Sequence, residues 1–340
     1  MEGTVLDNLR NAWQEWDAKL EPFVFDAITT VSARDRDLAS CPRFSTDASS
    51  ATPSSASPPR PPLSLSLSLA SDARAQVFGE DIREYPSLAV QSQPRWIQSP
   101  TVVVTSSIFY VVFVTLAKLT VKQKKKGAAD PAWLKNLVFC HNVFLVVLST
   151  YMSGGICYQV YVNNYKIWGQ AYNEKETELA RFILIFTLSK LYEYLDTVIM
   201  VLKRNMYQVT FLHCYHHVSV SFFWWMAYYI MPGGEGWLGA ALNSFVHVIM
   251  YTYYLLSSLS SSNPKFRQKY LWWGRYLTTF QMLQFVENGL HCMWMLHFKT
   301  YSAVMAKFGV YYMVTLLILF GNFFIRKYGL GAGKRKKKTT

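Results

Sequence analysis

From residue 101 onward the chain carries seven long apolar stretches, at about 101–121, 133–160, 178–200, 208–230, 237–258, 270–293 and 302–325. Each has about 20 residues or more, enough for a helix to cross a hydrocarbon core about 30 Å thick. The expected fold class is therefore all-α: a polytopic membrane protein with seven transmembrane helices, or six if the first stretch is peripheral. Several stretches hold internal polar residues, so a plain hydropathy cut misses some of them.

Composition points the same way. Charged residues make up 16% of the chain, where about 25% is usual. Aromatics also reach 16%. A wholly disordered chain would lack aromatics and be rich in charge. An ordinary soluble domain would need more charge to cover its surface.

The first 95 residues differ. Residues 1–30 include an amphipathic, Trp-bearing segment. Residues 31–76 are a low-complexity tract rich in Ser, Pro, Ala and Leu, ending in alternating Leu/Ser. Two readings of this tract stand: a disordered insert, or an intron left in the gene model, since Val codons begin with GT and Gln can be encoded CAG. Residues 77–100 form a pre-membrane segment, 101–326 the seven-helix domain, and 327–340 a basic tail.

The formal net charge of +13 suits nucleic acid, an anionic membrane surface or a phosphorylated ligand. Its distribution decides. Counting connections, 17 Lys and Arg fall on one side, including Lys203, Arg204 and the tail. Only Lys166, Lys175 and Lys299 fall on the other. The positive-inside rule then places the C-terminus in the cytosol and the N-terminus on the luminal side. The charge belongs to a membrane face, with membrane lipid as partner and no nucleic acid. Lys337 and Lys338, third and fourth from the end, resemble a dilysine endoplasmic-reticulum retrieval signal. The other reading is a polybasic tail touching anionic lipid.

Ionisable residues inside apolar spans are costly and mark function. The third stretch holds Lys190, Glu193, Asp196 and Thr197, with the three charges at i, i+3 and i+6 on one helix face. The fourth opens with His213, His216 and His217, which share about 100° of arc. The fifth sets Asn243, His247, Tyr251 and Tyr254 along one stripe, and the sixth carries Thr278, Gln281 and Gln284. Glu287 and His291 fall nearer the other side. Four helices thus bring polar groups to one level, about 10 Å below the cytosolic surface. Three imidazoles on one face read either as metal ligands or as a nucleophile and general bases.

In order along the chain stand Lys190-x-x-Glu193-x-x-Asp196-Thr197, His213-x-x-His216-His217, His247-x-x-Met250-Tyr251-x-Tyr253-Tyr254 and Thr278-x-x-Gln281-x-x-Gln284. This set resembles the ELO family of very-long-chain fatty acid elongases, over about residues 80–340. The resemblance implies a condensing enzyme of the endoplasmic reticulum that joins a long-chain acyl-CoA to malonyl-CoA, giving a 3-oxoacyl-CoA, CO2 and CoA. It also implies a seven-helix fold in which six helices form a barrel around an acyl tunnel closed on the luminal side. The two CoA thioesters are substrates, and neither a cofactor nor a metal is implied. Candidate partners are the ketoacyl reductase, dehydratase and enoyl reductase of the elongation cycle, and a second copy of the chain in a homodimer.

The roles expected on this reading are as follows. His216 takes the acyl group as an acyl-imidazole, while His213 and His217 orient it or shuttle protons. Glu193 and Asp196 fix the imidazole tautomer. His247 and Asn243 stabilise an enolate or oxyanion. Lys203 and Arg204 hold CoA phosphates. Lys190, Gln208, Tyr251, Tyr254, Thr278, Gln281 and Gln284 complete the substrate-binding set. The tract from Gln208 to His213 looks more like the polyunsaturated-substrate branch. Two alternatives come from other classes. A His-box membrane desaturase needs more histidine than the seven present, and a seven-helix receptor or transporter leaves the His cluster unexplained. Cys157 and Cys292 both fall on the luminal side, which permits disulfides, so they are expected to pair.

Overall fold

The computed structural model describes residue 90 and residues 93–328, apart from 126, 127, 174, 261 and 262. The expectations for residues 1–30 and 31–76, for most of 77–100, and for Lys337 and Lys338 lie outside the described residues. Among the described residues the regular elements are helical and no strand is present.

A short helix α1 (Arg95–Gln98) precedes α2 (Thr101–Thr120), α3 (Ala132–Val162), α4 (Thr177–Tyr192), α5 (Tyr194–Leu202), α6 (Phe211–Ile230) and α7 (Gly236–Leu259). A seven-residue α8 (Pro264–Tyr270) and a 3-10 turn (Trp272–Arg275) lead into α9 (Leu277–Phe298) and α10 (Ala303–Tyr328). Helical segments thus cover each of the apolar stretches. Local chemistry sets several boundaries. Pro131 is extended, and α3 begins directly after it. Asn263 caps α8 through Phe266 N, with Pro at the first helical position. Lys299 adopts a left-handed conformation that stops α9.

Two departures from the sequence reading are informative. The sixth stretch was expected to be helical from about residue 270, yet α9 starts at Leu277. The Trp272–Arg275 turn intervenes, and a Cβ at Gly274 would lie 2.3 Å from the Tyr253 ring. That close approach leaves no room for a side chain at 274. The third stretch is split at Glu193, where Asp196 N bonds Glu193 O in an i→i+3 pattern. Such tightening rotates the following residues relative to an unbroken helix.

Three helices, Thr101–Thr120, Ala132–Val162 and Ala303–Tyr328, are long and apolar enough to cross a membrane. Large apolar side chains stand exposed on α2 and α10, among them Phe109, Leu119, Tyr311 and Ile318. Exposure on this scale suits lipid rather than water. The helices that carry the polar motifs are less apolar by composition.

Helix contacts run in a circuit. α3 packs along α7, α7 touches α9, α9 packs along α10, α10 touches α6, α6 packs on α4, and α4 returns to α3. α2 contacts α6 and α5. Between α3 and α4 the approach is close, since a Cβ at Gly155 would lie 2.1 Å from Phe182.

The expected Cys157–Cys292 disulfide is not formed. Both thiols are free, Cys157 on an exposed face of α3 and Cys292 buried on α9. Cys292 packs with Met295 and Ala306, and its sulfur would lie 2.6 Å from a Cβ at Gly309 on α10. It is turned toward α10, whereas α3 packs along α7, so the two sulfurs face different neighbours.

Candidate active site

The histidine box sits in the first turns of α6 because of its cap. Thr210 is extended, and its hydroxyl accepts from His213 N at 3.2 Å. The helix therefore begins at Phe211 and carries 213, 216 and 217 into its first two turns. The His213 and His217 ring centroids are 4.4 Å apart, and those of His216 and His217 5.7 Å. His213 Nε2 lies 2.7 Å from Thr197 Oγ1, which lies 2.8 Å from the Tyr110 hydroxyl on α2. His216 Nδ1 and His217 Nδ1 are buried without a hydrogen-bond partner among the described residues.

A second cluster links α4 to α7. Lys190 Nζ donates to Glu193 Oε1 at 2.8 Å and to Asn243 Oδ1 at 2.9 Å. His247 Nδ1 lies 3.4 Å from the same carboxylate oxygen. All four side chains are buried. Because Lys190 occupies the Asn243 carbonyl oxygen, the Asn243 amide NH2 is free to donate elsewhere.

Asp196 faces another way. Its Oδ1 accepts from His141 Nε2 at 2.8 Å, and its Oδ2 from the Tyr251 hydroxyl at 2.7 Å. The expectation that Glu193 and Asp196 fix the tautomer of the His box is thus corrected. Neither carboxylate bonds a box imidazole, and Thr197 makes the contact to His213 instead. The break at Glu193 is the physical reason, since it turns Asp196 toward α3 and α7. His141 is a site residue that motif reasoning missed, and it lies outside all four motifs.

A cavity runs from His216, Asn243 and Gln284 to Glu235, His291 and Tyr301. From His216 to Ala227 its wall on α6 spans about 16 Å. The remaining lining is mostly apolar, with Gly236 and Gly239 leaving room along α7. At the far end His291 Nε2 donates to Glu235 Oε2 at 2.7 Å, and Gly169 N donates to Glu235 Oε1 at 2.7 Å. Trp168 stacks on His291 with centroids 5.6 Å apart. Burial works against ionisation of Glu235, in the α6–α7 connection. The bonds from His291 and Gly169 outweigh it and hold the carboxyl below its ordinary range. Glu235 was invisible to the sequence reading, because a lone acid in a Gly-rich loop carries no periodic signal.

The remaining expected residues are spread more widely. Thr278 and Gln284 are buried on α9, and Gln281 donates weakly to Met250 Sδ. Tyr254 is 43% exposed and touches Tyr251. Lys203 and Arg204 end α5 on a turn, where Lys203 and Lys124 both pair with Asp130. Lys124 N also bonds Arg204 O at 3.0 Å. Gln208 is exposed in the turn before α6. Among the described residues no three His, Cys, Asp or Glu side chains are grouped to hold a metal ion.

Residues 95–339 match the model of the ELO family, described as GNS1/SUR4. The chain is 33% identical over 238 residues to human very long chain fatty acid elongase 5, covering 68% of this chain and 75% of that one. It is 34% identical over 215 residues to the Xenopus tropicalis protein of the same name, covering 61% and 70%. It is 37% identical over 241 residues to fatty acid elongase 6 of Leishmania major, covering 67% and 60%.

Proposed function

Since the chain belongs to the ELO (GNS1/SUR4) family of fatty acid elongases, we propose that it condenses a long-chain acyl-CoA with malonyl-CoA to give a 3-oxoacyl-CoA, CO2 and CoA. The carrying observation is the position of His216. Its imidazole lines the head of a long, mostly apolar cavity, beside the Asn243 amide, and no hydrogen bond engages its ring among the described residues.

The steps balance. An imidazole nitrogen of His216 attacks the thioester carbonyl, the C–S bond breaks, and CoA leaves as a thiolate that takes a proton. The product is an acyl-imidazole whose chain lies in the cavity. Malonyl-CoA then loses CO2, and the resulting carbanion attacks the acyl carbon. The C–N bond breaks and His216 regains its proton, so one proton is consumed overall. The Asn243 NH2 group, oriented by Lys190, donates to the oxyanion that each attack creates. His247 sits beside Glu193 to steady the enolate.

The circuit of helix contacts supports a barrel of six helices within a seven-span fold, with α2 at its side. The Glu235–His291 pair supports closure of the tunnel on the luminal side. The charge distribution supports a cytosolic C-terminus, and family membership supports an endoplasmic-reticulum membrane protein working beside the reductases and dehydratase of the cycle. Lys203 and Arg204 then border the entry for CoA phosphates. A polyunsaturated acyl preference rests on the tract from Gln208 to His213.

The test uses purified protein with radiolabelled malonyl-CoA. Malonyl-dependent product is expected, together with a trapped acyl-enzyme that maps to His216. An acyl-enzyme on Cys214, or a His216→Ala protein that condenses normally, overturns the assignment.

A further inference from the structure

The helix circuit around the cavity closes without α2, yet α2 reaches the catalytic histidines. Val103, Tyr110, Val114 and Ala117 form its buried stripe. Tyr110, in the middle of that stripe, is 5% exposed. Its hydroxyl lies 2.8 Å from Thr197 Oγ1, and Thr197 Oγ1 lies 2.7 Å from His213 Nε2. The Cys214 thiol also stands beside the Tyr110 hydroxyl, while Thr197 Oγ1 links that hydroxyl to His213 Nε2. The chain of bonds therefore runs from a lipid-flanked helix, through a motif residue, into the His box.

We propose that Tyr110 is a positioning residue for condensation, which through Thr197 fixes the tautomer and ring orientation of His213. The phenol is the more acidic of the two hydroxyls, so the chain polarises from Tyr110 to Thr197 to His213. Thr197 has one proton and donates it to Nε2, leaving the His213 proton on Nδ1. The orientation carries onward by contact: His213 packs on His217, and His217 on His216. Two ring contacts also hold Tyr110: its ring lies 4.4 Å from that of Tyr194 and 6.3 Å from that of His217. Ser107, one turn earlier on α2, bonds the Tyr194 hydroxyl at 3.0 Å. The titratable groups around His213 are Cys214, His216 and His217 on its own helix, Asp196 on α5 and Tyr110 on α2. This inference rests on the condensing reaction proposed above.

Tyr110→Phe keeps both ring contacts and removes only the hydroxyl, and Thr197→Val removes the relay. Each is expected to lower kcat about tenfold, the worth of one buried hydrogen bond. KM for both CoA substrates should stay within about twofold and the unfolding temperature should hold, because neither substrate nor core is touched. The double variant should be no slower than Thr197→Val alone. The acid limb of kcat should move to higher pH in Thr197→Val, since the bond that favours neutral His213 is gone. Wild-type kcat in Tyr110→Phe, an additive double variant, or a rate loss that tracks a lower unfolding temperature overturns the inference. Carbethoxylation of His213 by diethyl pyrocarbonate, mapped by mass spectrometry, reads the same chain without turnover. It should quicken severalfold in Thr197→Val and less in Tyr110→Phe. Equal modification in all three proteins overturns the positioning role even where wild type forms no malonyl-dependent product, a result that separately overturns the condensing reading.

Discussion

The Lys190 ammonium lies 2.8 Å from the Glu193 carboxylate one helical turn away, with the two side chains 1% and 2% exposed. Asn243, His247 and Ser189 add polar contacts to the pair, and the ammonium lies 4.2 Å from the centre of the Phe186 ring. Such a pair is retained only where its partners satisfy it, and removing one partner leaves a bare buried charge. Lys190→Met is therefore expected to destabilise the protein by about 3–5 kcal/mol and to abolish condensation. Thermal unfolding in lipid nanodiscs checks the first part. The double variant Lys190→Met/Glu193→Leu should unfold at a higher temperature than Lys190→Met alone, because no unpaired charge remains.

His141 and Tyr251 hold Asp196 from two helices. His141→Phe preserves the stacked contact with Tyr192 but removes the donor. Condensation should slow about tenfold, as expected for one charge-assisted hydrogen bond. His141→Gln, which can still donate, should recover part of the rate. Initial rates with a fixed acyl-CoA measure both, and equal rates in the two variants would contradict a donor role for His141.

Gly239 lines the cavity, and a Cβ there would sit 3.5 Å from the Trp224 ring. Alanine at this position meets ordinary van der Waals contact. Gly239→Leu instead fills the passage beyond Asn243. It should cut kcat/KM for long acyl-CoA far more than for short ones, and Gly239→Ala should leave both near wild type. A uniform loss across chain lengths would mean that the acyl chain does not pass this residue.

Glu235 gives a pH prediction. Its carboxyl is held below the ordinary range, so its contribution to stability is present above about pH 4 and is lost as pH falls through the lower folded value. The unfolding temperature should change little from this source between neutral pH and about pH 5, then fall in stronger acid. Glu235→Gln should lower stability at neutral pH by about 1–3 kcal/mol and shrink the acid-side fall. Unfolding scans of both proteins across pH provide the comparison.

The helical stretches were legible because each holds a run of mostly apolar residues, and three of the resulting helices are long and apolar enough to cross a membrane. The residues that meet around His216 were legible because motif spacing places side chains on one helix face. Cross-helix partners were not. Nothing in a single sequence says that Asp196 answers to His141, or that Tyr110 reaches Thr197, since both contacts join residues far apart along the chain. The Cys157–Cys292 expectation failed for the same reason. Sharing a compartment does not fix which way two helix faces turn. Glu235 went unseen because an acid's role in a loop depends wholly on what folds against it.

The i→i+3 step at Glu193 divides one short motif between two neighbourhoods. Spacing alone stacks the two acids on a common face, where each would raise the cost of ionising the other. With the helix rephased between them, Glu193 serves the Lys190 ammonium and the His247 imidazole, while Asp196 serves the His141 imidazole and the Tyr251 phenol. Two acids three residues apart thereby gain separate partners on different helices, and neither competes for the other's.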